Sequence, residues 1–107
     1  MPHCDLNYSS DLSINAAPLL AAVEAIIQRH DAGAGDTKGR AYPAEVFYHT
    51  HMKVTVGLLD KPHRDAAFMA ALRTEIFDTV AAQMPRPCWL SVDLVFSGAN
   101  YQTEHLT

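Results

Sequence analysis

A proline at position 2, directly behind Met1, is the residue of this chain best placed to do chemistry. Its side chain is small, the condition under which an initiator methionine is trimmed, and the chain would then begin with a free secondary amine. An ordinary α-amino group titrates near ~7.7–8. In an apolar pocket beside a cation it gives up its proton more readily, because desolvation and like charge both disfavour the ammonium. The product is a general base that works near neutral pH. The plainer role for Pro2 is to start a strand, where its missing N–H does no harm.

Other reactive side chains occur without a matching pattern. His49 and His51 lie two apart and would share one face of a strand, so with His3 they could be zinc ligands. No Cys-x-x-Cys, His-Glu-x-x-His or carboxylate-rich spacing accompanies them. Hydrogen-bonded histidines are therefore the expectation, and no metal is assigned. Ser9 and Ser10 have no base motif around them, which leaves a serine nucleophile unsupported. Glu104-His105 has the makings of an acid–base pair, but polar residues near a terminus are more often mobile than catalytic. Cys4 and Cys88 read as small buried hydrophobes in a reducing compartment, which places the chain in the cytoplasm.

The elements that must position these groups fall into two similar halves, each strand, helix, strand. His3 to Tyr8 alternates, with Cys4, Leu6 and Tyr8 on one face, as a half-buried strand does. Ser9-Ser10-Asp11 supplies turn and cap chemistry. Leu19, Leu20, Val23, Ile26 and Ile27 recur at helical spacing between about Ser13 and His30, with Pro18 pushing the start inward. Asp31 to Asp36 ends that helix. Lys38 to Tyr42 reads as a short strand closed by Pro43. Glu45 to Leu58 reads as a long strand, with Val46, Tyr48, Thr50, Met52, Val54, Val56 and Leu58 on one face. Asp60-Lys61-Pro62 looks like the start of a second helix, whose buried stripe is Met69, Leu72, Ile76, Phe77, Val80 and Met84. Cys88 to Ser97 is the last strand, and Gly98 to Thr107 a polar tail.

Two strand–helix–strand units joined by right-handed crossovers give an α/β (α+β) sandwich: a four-stranded mixed sheet with both helices on one face. The other face is left uncovered, so apolar residues there would call for a partner surface. The 107 residues fit one domain, residues 1–107, with 49% hydrophobic and 19% charged side chains. A net charge of −4 without a Lys/Arg cluster argues against nucleic acid as a partner. No run approaches the roughly 20 apolar residues of a membrane helix, and no signal peptide is evident.

Several of these stretches resemble a known family. Met1-Pro2-His3, the Ser9-Ser10-Asp11-Leu12 turn and His51-Met52-Lys53-Val54-Thr55-Val56-Gly57 are similar to the 5-carboxymethyl-2-hydroxymuconate isomerases of the tautomerase superfamily. Arg64 through Met84 is similar in length and pattern to that family's second helix. The resemblance implies a homotrimer that needs no cofactor and moves a proton along a small anionic unsaturated keto or hydroxy acid. It makes Pro2 the base and Arg40 the catalytic cation, matching an arginine that follows the family's first helix. Here the spacing from Arg40 to His51-Met52 is about a dozen residues shorter, by the same comparison. The family's second arginine, in a Gly-Arg-Ser turn, meets Gly57-Leu58-Leu59-Asp60-Lys61 in this chain. Lys61 or Arg64 is left to bind the substrate, although a lysine does not reproduce the bidentate fork of an arginine. A drifted, catalytically idle ligand-binding or interaction protein of the same fold is the competing expectation.

Overall fold

The computed structural model describes residues 1–107, and its elements run β1 (His3–Ser9), α1 (Ala16–His30), β2 (Lys38–Ala44), β3 (His51–Leu59), α2 (Ala66–Ala81) and β4 (Trp89–Ser97). The sheet order is β2-β1-β3-β4. Within each unit the strands are parallel, β1 with β2 and β3 with β4, while β1 and β3 meet antiparallel at the centre. This is the mixed four-stranded sheet that the two strand–helix–strand units imply.

Alternation along the strands sorts the core from the open face. Cys4 and Leu6 of β1 and Met52, Val54, Val56 and Leu58 of β3 are buried on the helix side. They pack with Leu19, Val23, Ile26 and Ile27 of α1 and Leu72, Ile76 and Val80 of α2. Burial drives the Cys4 thiol up to about 12, with the neighbouring Asp5 carboxylate adding to it, so this cysteine is an inert core residue. At Gly39 of β2, a Cβ would meet the Leu20 Cδ2 at 2.9 Å, so the missing side chain lets α1 settle onto the edge strand.

Three sequence expectations are corrected. The long strand does not begin at Glu45: β3 starts at His51, and residues 45–50 form a bend in which Val46 and Tyr48 are 96% and 82% exposed. β1 ends at Ser9, so the residues before His51 have no central partner to pair with, and His49 leaves the β region at φ 66. Second, α2 is capped by Asp65, whose carboxylate accepts from the Phe68 N–H at 2.9 Å, rather than at Asp60-Lys61-Pro62. Residues 61–64 instead form a turn closed by the Arg64 N–H on the Lys61 carbonyl at 2.9 Å. Third, Pro43 does not close β2, which runs on to Ala44 with Pro43 opposite Tyr8. The uncovered face carries His3, Asp5 and Asn7 beside Arg40, and Lys53 facing Asp93 across an ion pair of 3.8 Å, together with the exposed Tyr42, Trp89 and Val95. The α1 expectation holds in its detail: with Pro18 in the first turn, the helix begins at Ala16. No helix is long and apolar enough to cross a membrane.

Candidate active site

The parallel pairing of β1 with β2 assembles the site from two segments more than thirty residues apart. The Pro2 carbonyl accepts from the Lys38 N–H at 2.9 Å, which pins the chain start against the start of β2. In register, His3 lies opposite Lys38 and Asp5 opposite Arg40. The Pro2 side chain is fully buried. The terminal nitrogen therefore sits at the rim of an apolar core, with polar side chains projecting from the opposite face of β1.

Three cations act on that terminus, one of them, Lys38, also paired with Asp36 at 4.0 Å. With Met1 in place, the amine is held below its ordinary value, first by burial and then by Lys61, Arg64 and Lys38. Each of these acts in the direction that favours a neutral, basic nitrogen. Of the cations named from sequence, Lys61 is thus near enough to lower the pKa of the terminal amine. Lys38, which sequence reasoning left without a role, is near enough too. The signal that finds it is the register: a parallel partner entering beside Pro2 must place its first residue there.

Arg64 is close enough to act on the terminus, but its guanidinium is turned away. Its side chain is 3% exposed. Nε and Nη2 donate to Asp31 Oδ2 at 3.0 and 2.9 Å, and Nη1 donates to the Leu59 carbonyl at 2.8 Å. The same oxygen meets His63 Nε2 at 2.7 Å. These contacts, the His63 hydrogen bond foremost, hold the Asp31 carboxyl down to about 2. Arg64 thus ties the turn after β3 to the end of α1 while adding positive potential from behind.

Arg40 projects from the open face, 42% exposed. Its Nε lies 2.7 Å from Asp5 Oδ1 without the alignment of a hydrogen bond, and Nη2 reaches Asp5 Oδ2 at 3.5 Å. Its Nη1 lies 3.3 Å from His3 Nδ1. The other ring nitrogen of His3, Nε2, lies 2.9 Å from the Tyr101 hydroxyl, and that hydroxyl donates to the Met1 carbonyl at 3.4 Å. Burial and then Arg40 push the His3 pKa below its ordinary value, which favours the neutral ring. From sequence, His3 is weighed only as a metal ligand and Tyr101 only as a residue that could line a pocket at a subunit boundary; nothing there joins the two. Their meeting joins positions 98 residues apart.

Two open cavities lie at this end of the sheet. One, of about 440 Å³, lies between the ends of β3 and β4 and is lined by Leu59, Asp60, Lys61 and Ser97–Ala99. The other, of about 300 Å³, is lined by Met1, Asp36, Lys38 and the tail residues Thr103–His105. The histidines weighed as ligands do not converge. His3 pairs with Gly57 and His51 starts the same strand six residues earlier, roughly 20 Å away at strand rise. No group of three His, Cys, Asp or Glu side chains could hold a metal ion.

Known structures share this architecture. A 5-carboxymethyl-2-hydroxymuconate isomerase from Deinococcus radiodurans R1 superposes with a TM-score of 0.63 at 18% identity, over 97% of this chain and 90% of that one. A 5-carboxymethyl-2-hydroxymuconate delta-isomerase gives 0.65 at 16% identity, over 98% and 88%. The chain has their fold. A probable enzyme from the thermophilic fungus Aspergillus fumigatus gives 0.62 at 10% identity, over 97% and 80%. No family model and no curated protein matches the sequence. At these identities the shared fold is what carries over, and the chemistry must be argued from the site.

Proposed function

We propose that the chain is a cofactor-independent isomerase of the tautomerase type, acting once Met1 is removed and Pro2 becomes the terminal amine. The observation that carries this reading is the fully buried Pro2 at a chain start whose terminal amine is lowered in pKa, and so favoured in its neutral form, by burial and by Lys61, Arg64 and Lys38. Removing Met1 moves the amine one residue inward, to the nitrogen of a fully buried proline under the same cations. The substrate is a small anionic unsaturated keto or hydroxy acid, as in 5-carboxymethyl-2-hydroxymuconate. Its enolic O–H proton passes to the Pro2 nitrogen, which leaves a dienolate. The protonated nitrogen then delivers that proton to a carbon further along, and the product is a ketone with the double bond shifted. No external oxidant or metal enters this balance.

The cations have separate tasks in this mechanism. Lys61 and Lys38 hold the substrate's negative charge near Pro2, and Arg64 adds potential without touching the ligand. Arg40 has five N–H donors, some of them turned to Asp5 and His3, and offers the remainder to a carboxylate or dienolate. A homotrimer accompanies the reading, and the exposed Val46, Tyr48 and Trp89 at the far end of the sheet supply apolar surface for self-association.

The test is ultraviolet-monitored turnover of 5-carboxymethyl-2-hydroxymuconate by Met1-free protein beside its Pro2→Ala variant. Loss of the diene absorbance in the parent, with kcat at least about 10²-fold lower in the variant, is the expected result. Equal turnover by the two proteins contradicts it. The competing reading is a non-catalytic binding protein in which Met1 is kept, so that the Pro2 nitrogen stays an amide and cannot act as a base. Intact mass of the native protein separates the two, since retained Met1 supports the binding protein and its absence supports the enzyme.

A further inference from the structure

Tyr101 differs from the rest of the C-terminal tail. Residues 98–107 are exposed with the sole exception of Tyr101, which is half-buried. Its ring packs edge-on against His3 at a centroid distance of 6.0 Å. The tail is therefore anchored to the start of β1 by this one side chain.

The direction of the hydrogen bonds follows from the donor inventory. Arg40 carries donors only, so His3 Nδ1 is the acceptor in their 3.3 Å contact. The neutral ring then keeps its proton on Nε2 and donates it to the Tyr101 oxygen at 2.9 Å. With its oxygen occupied as an acceptor, the phenol has its own O–H left to give, and it gives it to the Met1 carbonyl at 3.4 Å. The chain of donors runs in one sense, from Arg40 through His3 to Tyr101.

What receives that last hydrogen bond matters most. The Met1 carbonyl carbon is bonded to the Pro2 nitrogen at about 1.33 Å, which places its oxygen within about 2.3 Å of that nitrogen. When Met1 leaves, the space it vacates is beside the proposed base and already faces a phenol O–H. An oxygen of a bound acid that brings its proton to Pro2 would stand in the same space. The Met1 carbonyl shows that an acceptor oxygen in this space is within reach of the Tyr101 hydroxyl.

We propose that Tyr101 is a catalytic residue of this site, donating its phenol O–H to the substrate's enolic oxygen as charge develops there, with His3 as a positioning residue whose tautomer the Arg40 contact sets. This rests on the assignment of Pro2 as the base. The phenol keeps its proton throughout; the transferred proton travels only between substrate and Pro2. A donor aimed at a developing oxyanion acts mainly in the transition state, so its loss lowers kcat more than it raises KM.

The experiment compares Met1-free wild type, Pro2→Ala and Tyr101→Phe on 5-carboxymethyl-2-hydroxymuconate and on the enol of phenylpyruvate. Phenylalanine keeps the ring that anchors the tail and removes only the hydroxyl. A fall in kcat of about 10- to 10²-fold for Tyr101→Phe, with KM within about threefold, is expected. His3→Ala is expected to lose less, and His3→Gln, which still offers an N–H, to recover most of that loss. Unchanged kcat in Tyr101→Phe, or a change confined to KM, overturns the role of Tyr101 while the Pro2→Ala result leaves the base standing. No turnover of either substrate by the wild type overturns the base and Tyr101 together.

Discussion

The two strand–helix–strand units are near repeats, yet the spaces in front of their first strands differ completely. Before β1 lies the buried Pro2, with Lys38, Lys61 and Arg64 acting on the terminus and Tyr101 folded across it. Before β3 lies a cavity of about 440 Å³ lined by His49, Thr50, Pro87, Cys88 and Trp89, with no Lys or Arg among them. Trp89 is 76% exposed there, and the Ser9 hydroxyl stitches the strand start by accepting from the His51 N–H at 2.9 Å. The architecture is common to both ends. What separates a candidate active site from a bare strand mouth is a titratable nitrogen, its burial and convergent positive charge. Cavity volume does not separate them, since an equally large space occurs at each end.

That contrast can be broken first at the ion-pair knot behind the site. Asp31→Asn leaves the 5% exposed Arg64 without its counter-charge. We expect it to lower unfolding free energy by roughly 3 kcal/mol in urea titrations. The knot also has a pH signature. The Asp31 carboxyl is depressed in the folded chain, to about 2, so its contribution is complete above the ordinary carboxylate value and is lost as pH falls through about 2. In Asp31→Asn, the acid-unfolding limb between these two values should be shallower than in wild type. A wild-type-like limb would remove Asp31 from the account.

A sharper cut is to take one cation from the site end and one from elsewhere on the sheet. Lys61→Met should raise the amine pKa and lower kcat/KM by about tenfold, because a like charge beside the base and a counter-charge for the substrate vanish together. Lys53→Met, on the open face and paired with Asp93, should leave both within error. Equal effects from the two would mean that general electrostatics, and not convergence on the terminus, governs the site. The smallest expected effect belongs to the far end. Trp89→Ser should leave subunit stability within about 0.5 kcal/mol and turnover per subunit within a few-fold, since the ring is exposed. It should shift the mass measured by light scattering toward the monomer if Trp89 lies in the subunit contact.

Much of the fold was legible because it rests on local pattern. The alternation of His3 to Tyr8 and the helical spacing of Leu19 to Ile27 each reappear as β1 and the buried face of α1. Residues 45–50 misled because Val46, Phe47 and Tyr48 have the propensity of a strand, whereas pairing decides, and β1 has no residues left to meet them. The start of α2 misled because Asp60 with Pro62 and Asp65 are both credible caps, and only Asp65 reaches an N–H of the first turn. In the site, Pro2 was singled out by its position together with the family resemblance, and Lys61 or Arg64 as stand-ins for the family's second arginine, of which Arg64 turns its guanidinium to Asp31. Lys38 was not, and the contacts of His3 and Tyr101 with each other were not. Their roles come from strand register and from a tail that returns across the sheet, neither of which is written in local spacing.

The central claim is that the Pro2 nitrogen is a base near neutral pH, and it is tested most directly by titrating that nitrogen itself. Met1-free protein labelled with ¹⁵N at proline, followed by NMR across pH, reports its midpoint without any substrate. The account predicts a midpoint below the ordinary α-amino range of about 7.7–8, rising toward it when Lys61 becomes Met. A midpoint at or above that range, unmoved by Lys61→Met, would contradict it.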